Sequence, residues 1–293
     1  MMDVRIGTRG SQLALWQANT VANRLSEQGY RPEIVIVKTT GDKRQDVSLS
    51  TIGGKGLFIK ELEEALARRE VDVAVHSLKD VPSLIPDQFV LAGFLERADP
   101  RDAWVHPEHV AIGELPDGSV IGTSAPRRRA QLRQHYPRLV VEEIRGNVET
   151  RINKMHAGLY AGIILANAGL TRLGRESEIT SLFDVDTMVP ACGQGIVVIE
   201  ALRDRADAVA AARAITHAPS ELAAVTERGV LQKFGETLDC TSAVAVHSDG
   251  ASVRAFVSDL DGTRAIRAQG QTVDEVYAAL VAQGAMELLC RQG

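Results

Sequence analysis

Residues 71–82 are Val-Asp-Val-Ala-Val-His-Ser-Leu-Lys-Asp-Val-Pro, and the rest of the chain is organised around this stretch. Its β-branched beginning, Val71–Val75, predicts a short buried strand that Pro82 prevents from continuing. Ligands bind outside the carboxyl ends of strands in open α/β sheets, and four polar residues crowd this end: His76, Ser77, Lys79 and Asp80. A carboxylate beside a lysine here is a candidate reaction centre. The alternative is a solvated loop with a weak surface ion pair.

Strands and helices alternate on both sides of this stretch. The pattern predicts strands at 4–6, 33–37 and 89–94, and helices at 11–28, with Ser11 as N-cap, and at 57–69. The order β-α-β-α-β predicts an α/β fold with a mostly parallel sheet covered by helices.

The pattern then begins again after the polar segment 97–102. Val120-Ile-Gly-Thr-Ser124 repeats the layout of Ile6-Gly-Thr8, strands follow at 139–144 and 161–166, and Asn147 is predicted to cap a helix. This repetition predicts two similar domains facing each other across a cleft, although a chance echo remains an alternative. The predicted domains are 1–97 plus 196–217, then 102–192, then 219–293.

The strand at 196–200 is predicted to cross back to the first domain. The last domain is predicted to be a small α+β unit. It should contain three mostly antiparallel strands and a final helix, at 241–247, 252–258, 264–270 and 273–290.

Composition excludes several classes of protein. The 293 residues include 45% hydrophobic and 24% charged residues, which is ordinary for a globular protein, and no stretch approaches the ~20 apolar residues of a membrane span. No signal-peptide pattern opens the chain, so we expect a cytoplasmic protein. The three cysteines, at 192, 240 and 290, lack disulfide or metal-ligand spacing, and no metal site is predicted. The net charge of −5 and 4% aromatic content argue against a general nucleic-acid binder.

Arginines concentrate between residues 122 and 151, where there are seven. Several arginines are predicted at strand-to-helix turns, namely Arg9, Arg127, Arg128, Arg145 and Arg172. A cation is disfavoured at the positive end of a helix, so arginines placed there predict that an anion binds beside them. The guanidinium fork matches a carboxylate or a phosphate. The alternative, an ordinary solvated basic face, accounts well for Arg129, Arg133 and Arg138 and poorly for the arginines at the turns.

Several motifs in order resemble the porphobilinogen deaminase family, also called hydroxymethylbilane synthases. The resemblance covers residues 5–200 and is weaker beyond. The motifs are Ile6-Gly-Thr-Arg-Gly-Ser-Gln-Leu-Ala-Leu-Trp-Gln17, Gly53-Gly-Lys-Gly-Leu-Phe58, Ala74–Pro82, Arg97–Ala103, Gly122-Thr-Ser124 with Arg127-Arg128, Arg145-Gly-Asn147, Ala168–Gly174 and Gly193-Gln-Gly195.

The resemblance implies a transferase of porphyrin and heme biosynthesis. Such enzymes join four porphobilinogen molecules head to tail into hydroxymethylbilane and release ammonia at each condensation. The implied cofactor is a dipyrromethane on Cys240, joined by a thioether. The implied catalytic residue is Asp80, whose carboxylate would stabilise the pyrrole cations. The implied fold is two domains like type II periplasmic binding proteins plus a small α+β third domain.

The resemblance also assigns the residues that bind the carboxylates of cofactor and substrate. They are Arg9, Ser11, Ser77, Lys79, Thr123, Ser124, Arg127, Arg128, Arg145, Arg151, Arg172 and Gln194, with Lys55 and Phe58 on a loop that covers the site. A monomer is expected, and a transient hand-over of product to uroporphyrinogen-III synthase is left open.

The chain departs from the family near the attachment cysteine. Asp239 precedes Cys240 where the family usually has glycine, and Ala243 stands in place of a proline. Asp239 could disfavour the thiolate by like-charge repulsion. A two-lobed solute-binding module without catalysis is the main rival, because it also explains the repeated halves and the arginines.

Overall fold

The computed structural model describes residues 2–38, 59–235, 238, 243–260 and 262–290, with the backbone alone for Cys290. By its internal contacts the chain forms two compact units, residues 1–98 with 195–225, and residues 99–194 with 226–293. The first break falls inside the polar segment predicted as a domain crossing. The division into three domains stays a prediction.

The first unit is built on a five-stranded sheet of order β2-β1-β3-β10-β4. Neighbours β1, β2 and β3 are parallel, and β10 is antiparallel to both β3 and β4. The mostly parallel sheet and the return of the 196–200 strand to it are therefore confirmed. The strands are β1 Asp3–Thr8, β2 Arg31–Ile36, β3 Val73–Ser77, β4 Phe89–Phe94 and β10 Val197–Leu202.

The first helix of this unit begins at a side-chain cap and buries its apolar side on the sheet. The Ser11 hydroxyl accepts a hydrogen bond from the Ala14 amide, and the helix that follows buries Val21 and Leu25 against the strands. The helices are α1 Gln12–Glu27, α2 Lys60–Ala67 and α6 Ala206–Ala214, and α7 Ala218–Lys233 follows them.

The second unit has its own five-stranded sheet of order β7-β6-β8-β5-β9. Its strands occupy the same places as those of the first sheet, although its antiparallel strand comes first along the chain rather than last. Here β6 is parallel to β7 and β8, while β5 is antiparallel to β8 and β9. In each sheet one strand, β1 or β6, thus lies between two parallel neighbours, and the antiparallel strand, β10 or β5, lies fourth. The strands are β5 Asp102–Val105, β6 Val120–Gly122, β7 Val140–Glu142, β8 Gly162–Ala166 and β9 Ile179–Leu182.

Both faces of this sheet are covered by apolar side chains and short helices. Trp104 is wholly buried on one face, and it lies so close to Gly162 that a Cβ there would be 2.1 Å from the indole ring. Residue 162 must therefore be glycine for the ring to pack. The helices are α3 Pro126–His135, α4 Val148–His156 and α5 Asn167–Arg172.

A separate sheet of order β11-β12-β13 also belongs to the second unit, and its strands are antiparallel, as predicted. Its strands and the helices that pack on it are β11 Ala243–Ser248, β12 Val253–Ser258, β13 Ala265–Gly270, α8 Val273–Ala282 and α9 Ala285–Cys290. The single helix predicted for 273–290 is wrong, because Gly284 adopts φ +92° and separates two helices.

One boundary correction bears on function. Strand β3 extends to Ser77 rather than Val75, since Val197 and Val198 of β10 continue to pair with Ser77 and His76. His76 therefore lies inside the strand and not in the loop after it. None of the helices in the described part of the chain is long and apolar enough to cross a membrane.

Candidate active site

Asp80 lies on a single 3-10 turn, Leu78–Asp80, that directly follows β3. Leu78 anchors this turn, because its side chain is buried and its amide donates to the Ile196 carbonyl at 3.0 Å. Lys79 and Asp80, by contrast, are exposed. The turn therefore presents a carboxylate and an ammonium group to solvent from a fixed backbone.

Other predicted site residues of the first unit gather at the same edge of its sheet. Strands β1 and β3 are parallel, so their carboxyl ends meet, and the segment after β1 carries Arg9 and Ser11. Gln17 of α1 donates from Nε2 to the Ser77 hydroxyl at 2.7 Å, which ties the helix to the end of β3. The structure thus brings Arg9, Ser11, Ser77, Lys79 and Asp80 to one edge.

A buried acidic residue that sequence reasoning missed lies behind this edge. Glu200 of β10 is fully buried, and its Oε2 is 3.0 Å from Nε2 of His76. Burial raises the pKa of Glu63 on α2 to about 7, with a further contribution from the negative charge of Glu200 and an opposing one from His76. A glutamate inside the apolar run Ile196–Leu202 was the available signal.

In the second unit the anion expected at the start of α3 is supplied by the chain itself. Asp102 of β5, wholly buried, accepts hydrogen bonds from Arg127 at 2.6 and 3.1 Å and from Arg128 at 2.7 and 3.1 Å. Burial alone would raise the pKa of Asp102, but the two guanidinium charges outweigh it and hold that pKa far below its usual value. A lone aspartate in the otherwise apolar strand was the signal that sequence reasoning passed over.

The remaining bonds of these two arginines differ. The terminal nitrogens of Arg127 also donate to the Val189 carbonyl at 2.9 Å and to Oε1 of Gln194 at 3.1 Å. Its four terminal N–H groups are therefore used within the protein. Arg128 donates from Nη1 to the Ile164 carbonyl at 3.1 Å and keeps further N–H groups for other acceptors. Direct binding of a cofactor carboxylate by either arginine stays a prediction.

Gln194 belongs to the same buried network. Its Nε2 donates to Oδ1 of Asp102 at 2.8 Å and to the Pro100 carbonyl at 2.6 Å. The preceding Gly193 has φ +71° and donates its amide to buried Glu227 at 2.6 Å, which fixes the turn. Gln194 thus orients the carboxylate that holds Arg127 and Arg128.

Thr123 and Ser124 occupy the connection between β6 and α3, as the sequence indicates. Thr123 is buried, and its amide donates to the Glu142 carbonyl of the neighbouring strand at 2.9 Å. Both hydroxyls therefore lie at the carboxyl end of β6, beside the start of the helix that carries Arg127 and Arg128.

Three further arginines occupy different settings. Arg145, in the turn before α4, contacts Glu143 at 2.5 Å, and Arg151 on α4 donates from Nε to the Gly146 carbonyl at 2.8 Å. Arg172 was predicted at a strand-to-helix turn, but it is the last residue of α5. Burial lowers its pKa to about 10. The prediction failed because α5 begins at once after β8 and lasts only six residues.

Arg138 is exposed, as the solvated-face interpretation expects, but it also makes several hydrogen bonds. It donates to Oδ1 of Asp117 at 3.0 Å and to the carbonyls of Gly113 and Leu115, so it holds the 113–117 segment.

Some predicted site residues lie outside the described residues, namely Cys240, Lys55 and Phe58, as does Asp239. Their roles stay predictions. Ala243, the other departure, is the buried first residue of β11.

Comparison with known proteins adds to this geometry. Residues 4–210 match the family model described as porphobilinogen deaminase, dipyromethane cofactor binding domain. The chain is 44% identical to porphobilinogen deaminase of Ralstonia nicotianae, covering 96% of this chain and 85% of that protein. It is 41% identical to that of Syntrophomonas wolfei, covering 99% of both.

Among solved structures, an ABC-transporter periplasmic substrate-binding protein from Coxiella burnetii is 14% identical with a TM-score of 0.46, covering 77% of this chain and 96% of that one. The family model and the identity to relatives over nearly their whole length agree on the classification. This chain is a member of the porphobilinogen deaminase family.

Proposed function

We propose that the chain joins four porphobilinogen molecules head to tail into hydroxymethylbilane, with release of ammonia, and that Asp80 is its catalytic residue. The family gives the transferase activity and its place in porphyrin biosynthesis. The single observation that supports the role of Asp80 is its exposed position on the rigid turn after β3, at the edge where ligands bind in such sheets.

The second unit has the charge that a dipyrromethane cofactor requires. The cofactor carries carboxylates, and the buried network holds two guanidinium groups against the single carboxylate of Asp102. One positive charge remains, and Thr123 and Ser124 directly precede the helix that carries both arginines, so the donors present fit an anionic ligand. When bound through Cys240, the dipyrromethane supplies the pyrrole to which porphobilinogen is joined.

Asp80 would act on the positive charge that develops during each condensation. Loss of ammonia from porphobilinogen leaves a cationic azafulvene, and a carboxylate held close to it stabilises that charge. The Asp80 oxygens would also accept hydrogen bonds from pyrrole N–H groups and take part in moving the proton that the ring releases. Lys79 would bind a substrate carboxylate from the same turn.

The other predicted site residues would bind the acetate and propionate groups of cofactor and substrate. In the first unit these are Arg9, Ser11 and Ser77. In the second unit Arg128, Arg145, Arg151 and Arg172 would bind directly, while Arg127 and Gln194 would act by orienting Arg128 through Asp102. Lys55 and Phe58 would act from the segment before α2.

We further propose a cytoplasmic monomer that passes its product to uroporphyrinogen-III synthase. The net charge of −5 supports a freely soluble chain. Light scattering should give the monomer mass of 31.6 kDa, and a larger particle at working concentration would contradict the monomer.

Intact-mass measurement tests the proposed function. Protein purified from cells that make porphobilinogen should carry a dipyrromethane adduct, and peptide mapping should place it on Cys240. Cys240→Ser should lose both the adduct and hydroxymethylbilane formation, while Cys192→Ser should keep both. An adduct on Cys192 or Cys290, or active protein with unmodified Cys240, would overturn the attachment. A chain without adduct or turnover would favour the solute-binding module.

A further inference from the structure

His76 and Glu200 form a pair across neighbouring strands at the heart of the first unit. Val198 is opposite His76 and Glu200 is opposite Ala74 in the antiparallel ladder, so the two side chains are diagonal neighbours on one face of the sheet. Both are almost completely enclosed, with side-chain exposures of 4% and 0%. The contact between Nε2 and Oε2 is 3.0 Å.

A carboxylate in this position requires a partner. Ionised groups lose several kcal/mol on leaving water unless a countercharge and hydrogen bonds replace the solvent. The second oxygen of Glu200, Oε1, makes no hydrogen bond within the described residues. The bond to His76 is therefore the compensation that the structure supplies for this buried carboxylate.

A third titratable group faces the pair from the helix above. Helix α2 packs on β1, β3 and β10, and it carries Glu63. In the described part of the chain, the charges that act on Glu63 are those of Glu200 on β10 and His76 on β3, and β1 contributes none. Glu63, His76 and Glu200 thus form one cluster built from three elements.

The cluster stands directly behind the turn that carries Asp80. His76 precedes Ser77, which Gln17 holds, and Leu78, whose amide is bound to Ile196 just before β10. Asp80 follows two residues after Leu78. A change in the pairing of β3 with β10 at His76 is therefore transmitted to the Asp80 turn through a few covalent bonds.

We propose that the cluster of His76, Glu200 and Glu63 is a positioning network that fixes the end of β3 and thereby the place of the Asp80 carboxylate. The inference rests on the catalytic role proposed for Asp80. Its members touch neither substrate nor cofactor in this scheme. They act by holding two strands in register at the point where the catalytic turn begins.

The network should make turnover depend on pH. Glu63 has a pKa of about 7, so it is mainly protonated below neutrality and adds a second negative charge beside Glu200 above it. Repulsion between the partly buried Glu63 carboxylate and the buried Glu200 carboxylate loosens the pairing that holds the turn. We therefore expect kcat to step down as pH rises through about 7.

Four variants and one control test this. Glu200→Gln and His76→Gln should each lower kcat by ~10–100-fold, as small misplacements of catalytic groups do, with little change in KM. The double variant should be no slower than the slower single variant, because both remove one interaction. Glu63→Gln should abolish the step near neutral pH. Glu64→Gln, at an exposed position on the same helix, should keep the step.

The outcomes separate the network from the function of Asp80. Asp80→Asn, measured in parallel, should lose at least ~100-fold in kcat. Normal kcat in Asp80→Asn would refute the proposed catalytic role and, with it, this inference. A slow Asp80→Asn together with unchanged rates in Glu200→Gln and His76→Gln, or with an unaltered pH step in Glu63→Gln, would refute the network alone. If Glu200→Gln does not fold, the pH profile of Glu63→Gln still decides.

Discussion

At the scale of single residues, Asp102 determines the state of the arginines beside α3. Its carboxylate is the partner of both buried guanidinium groups, and each oxygen accepts at least one short hydrogen bond. Breaking a buried ion pair by removing one member leaves the other charge without compensation. We therefore expect Asp102 to contribute to the stability of the fold as well as to the arrangement of the two arginines.

We predict that Asp102→Asn lowers the free energy of unfolding by ~3–5 kcal/mol at neutral pH. The low pKa of Asp102 also gives a pH dependence. Its contribution is present above the ordinary value of 3.8 and is lost as pH falls towards the lower folded-state pKa. Urea unfolding should show this acid-side loss in the unmodified protein and less of it in the variant.

Asp117→Asn is the matched control, since Asp117 is 82% exposed and pairs only at the surface. It should change stability by less than ~1 kcal/mol. Equal unfolding curves for Asp102→Asn and the unmodified protein would show that the buried pairs contribute no net stability.

Residues near in sequence were predicted better than residues brought together by folding. The caps Ser11 and Asn147 were identified because a cap bonds to an amide three residues on. The partners Asp102 and Glu200 were missed because they lie 25 residues from Arg127 and 124 from His76, and no local pattern encodes such pairs. The sequence analysis expected a ligand carboxylate for Arg127, whereas the carboxylate that Arg127 binds in the structure is that of Asp102.

At the scale of elements, helix α2 carries a group that titrates within the working range. The pKa of Glu63 is raised from 4.5 to about 7, first by burial and then by Glu200. The folded chain therefore holds a proton that the unfolded chain releases. Stability should fall as pH rises from 4.5 to about 7 and then remain level.

We predict that Glu63→Gln removes this slope. The variant should gain stability over the unmodified protein as pH rises, by on the order of 1 kcal/mol above about pH 7, because partial exposure screens the charges. Urea unfolding across this range measures it. Glu64→Gln, with a 48% exposed side chain, should follow the unmodified protein. If Glu63→Gln and the unmodified protein differ in stability by the same amount at every pH, a group other than Glu63 is responsible for the slope.

At the scale of the whole molecule, the repeated strand order was foreseeable and the partition of the chain less so. A strand residue, glycine and threonine recur in the same order at 6–8 and 121–123, and the strands of the two sheets occupy matching places. The extension of β3 depends on tertiary pairing, which local propensity does not encode. The helix end at Gly284 was a local glycine signal that the sequence analysis passed over. The arginines are likewise placed by the fold, so their roles require a test on the intact chain.

The last prediction concerns extension of the tetrapyrrole. Arg128→Leu should yield mainly protein without cofactor, because it removes the guanidinium group that keeps spare N–H groups after its bonds to Asp102 and Ile164. Arg151→Leu should load the cofactor but accumulate partly extended species, since later pyrroles need other carboxylate partners, each worth about 1.5–3 kcal/mol. Native mass spectrometry after limited porphobilinogen measures both. Arg264→Leu is a cleaner control than Arg138→Leu, because Arg264 is half exposed while Arg138 holds the 113–117 segment. If Arg151→Leu and Arg264→Leu accumulate the same set of intermediate masses, Arg151 does not bind the growing chain.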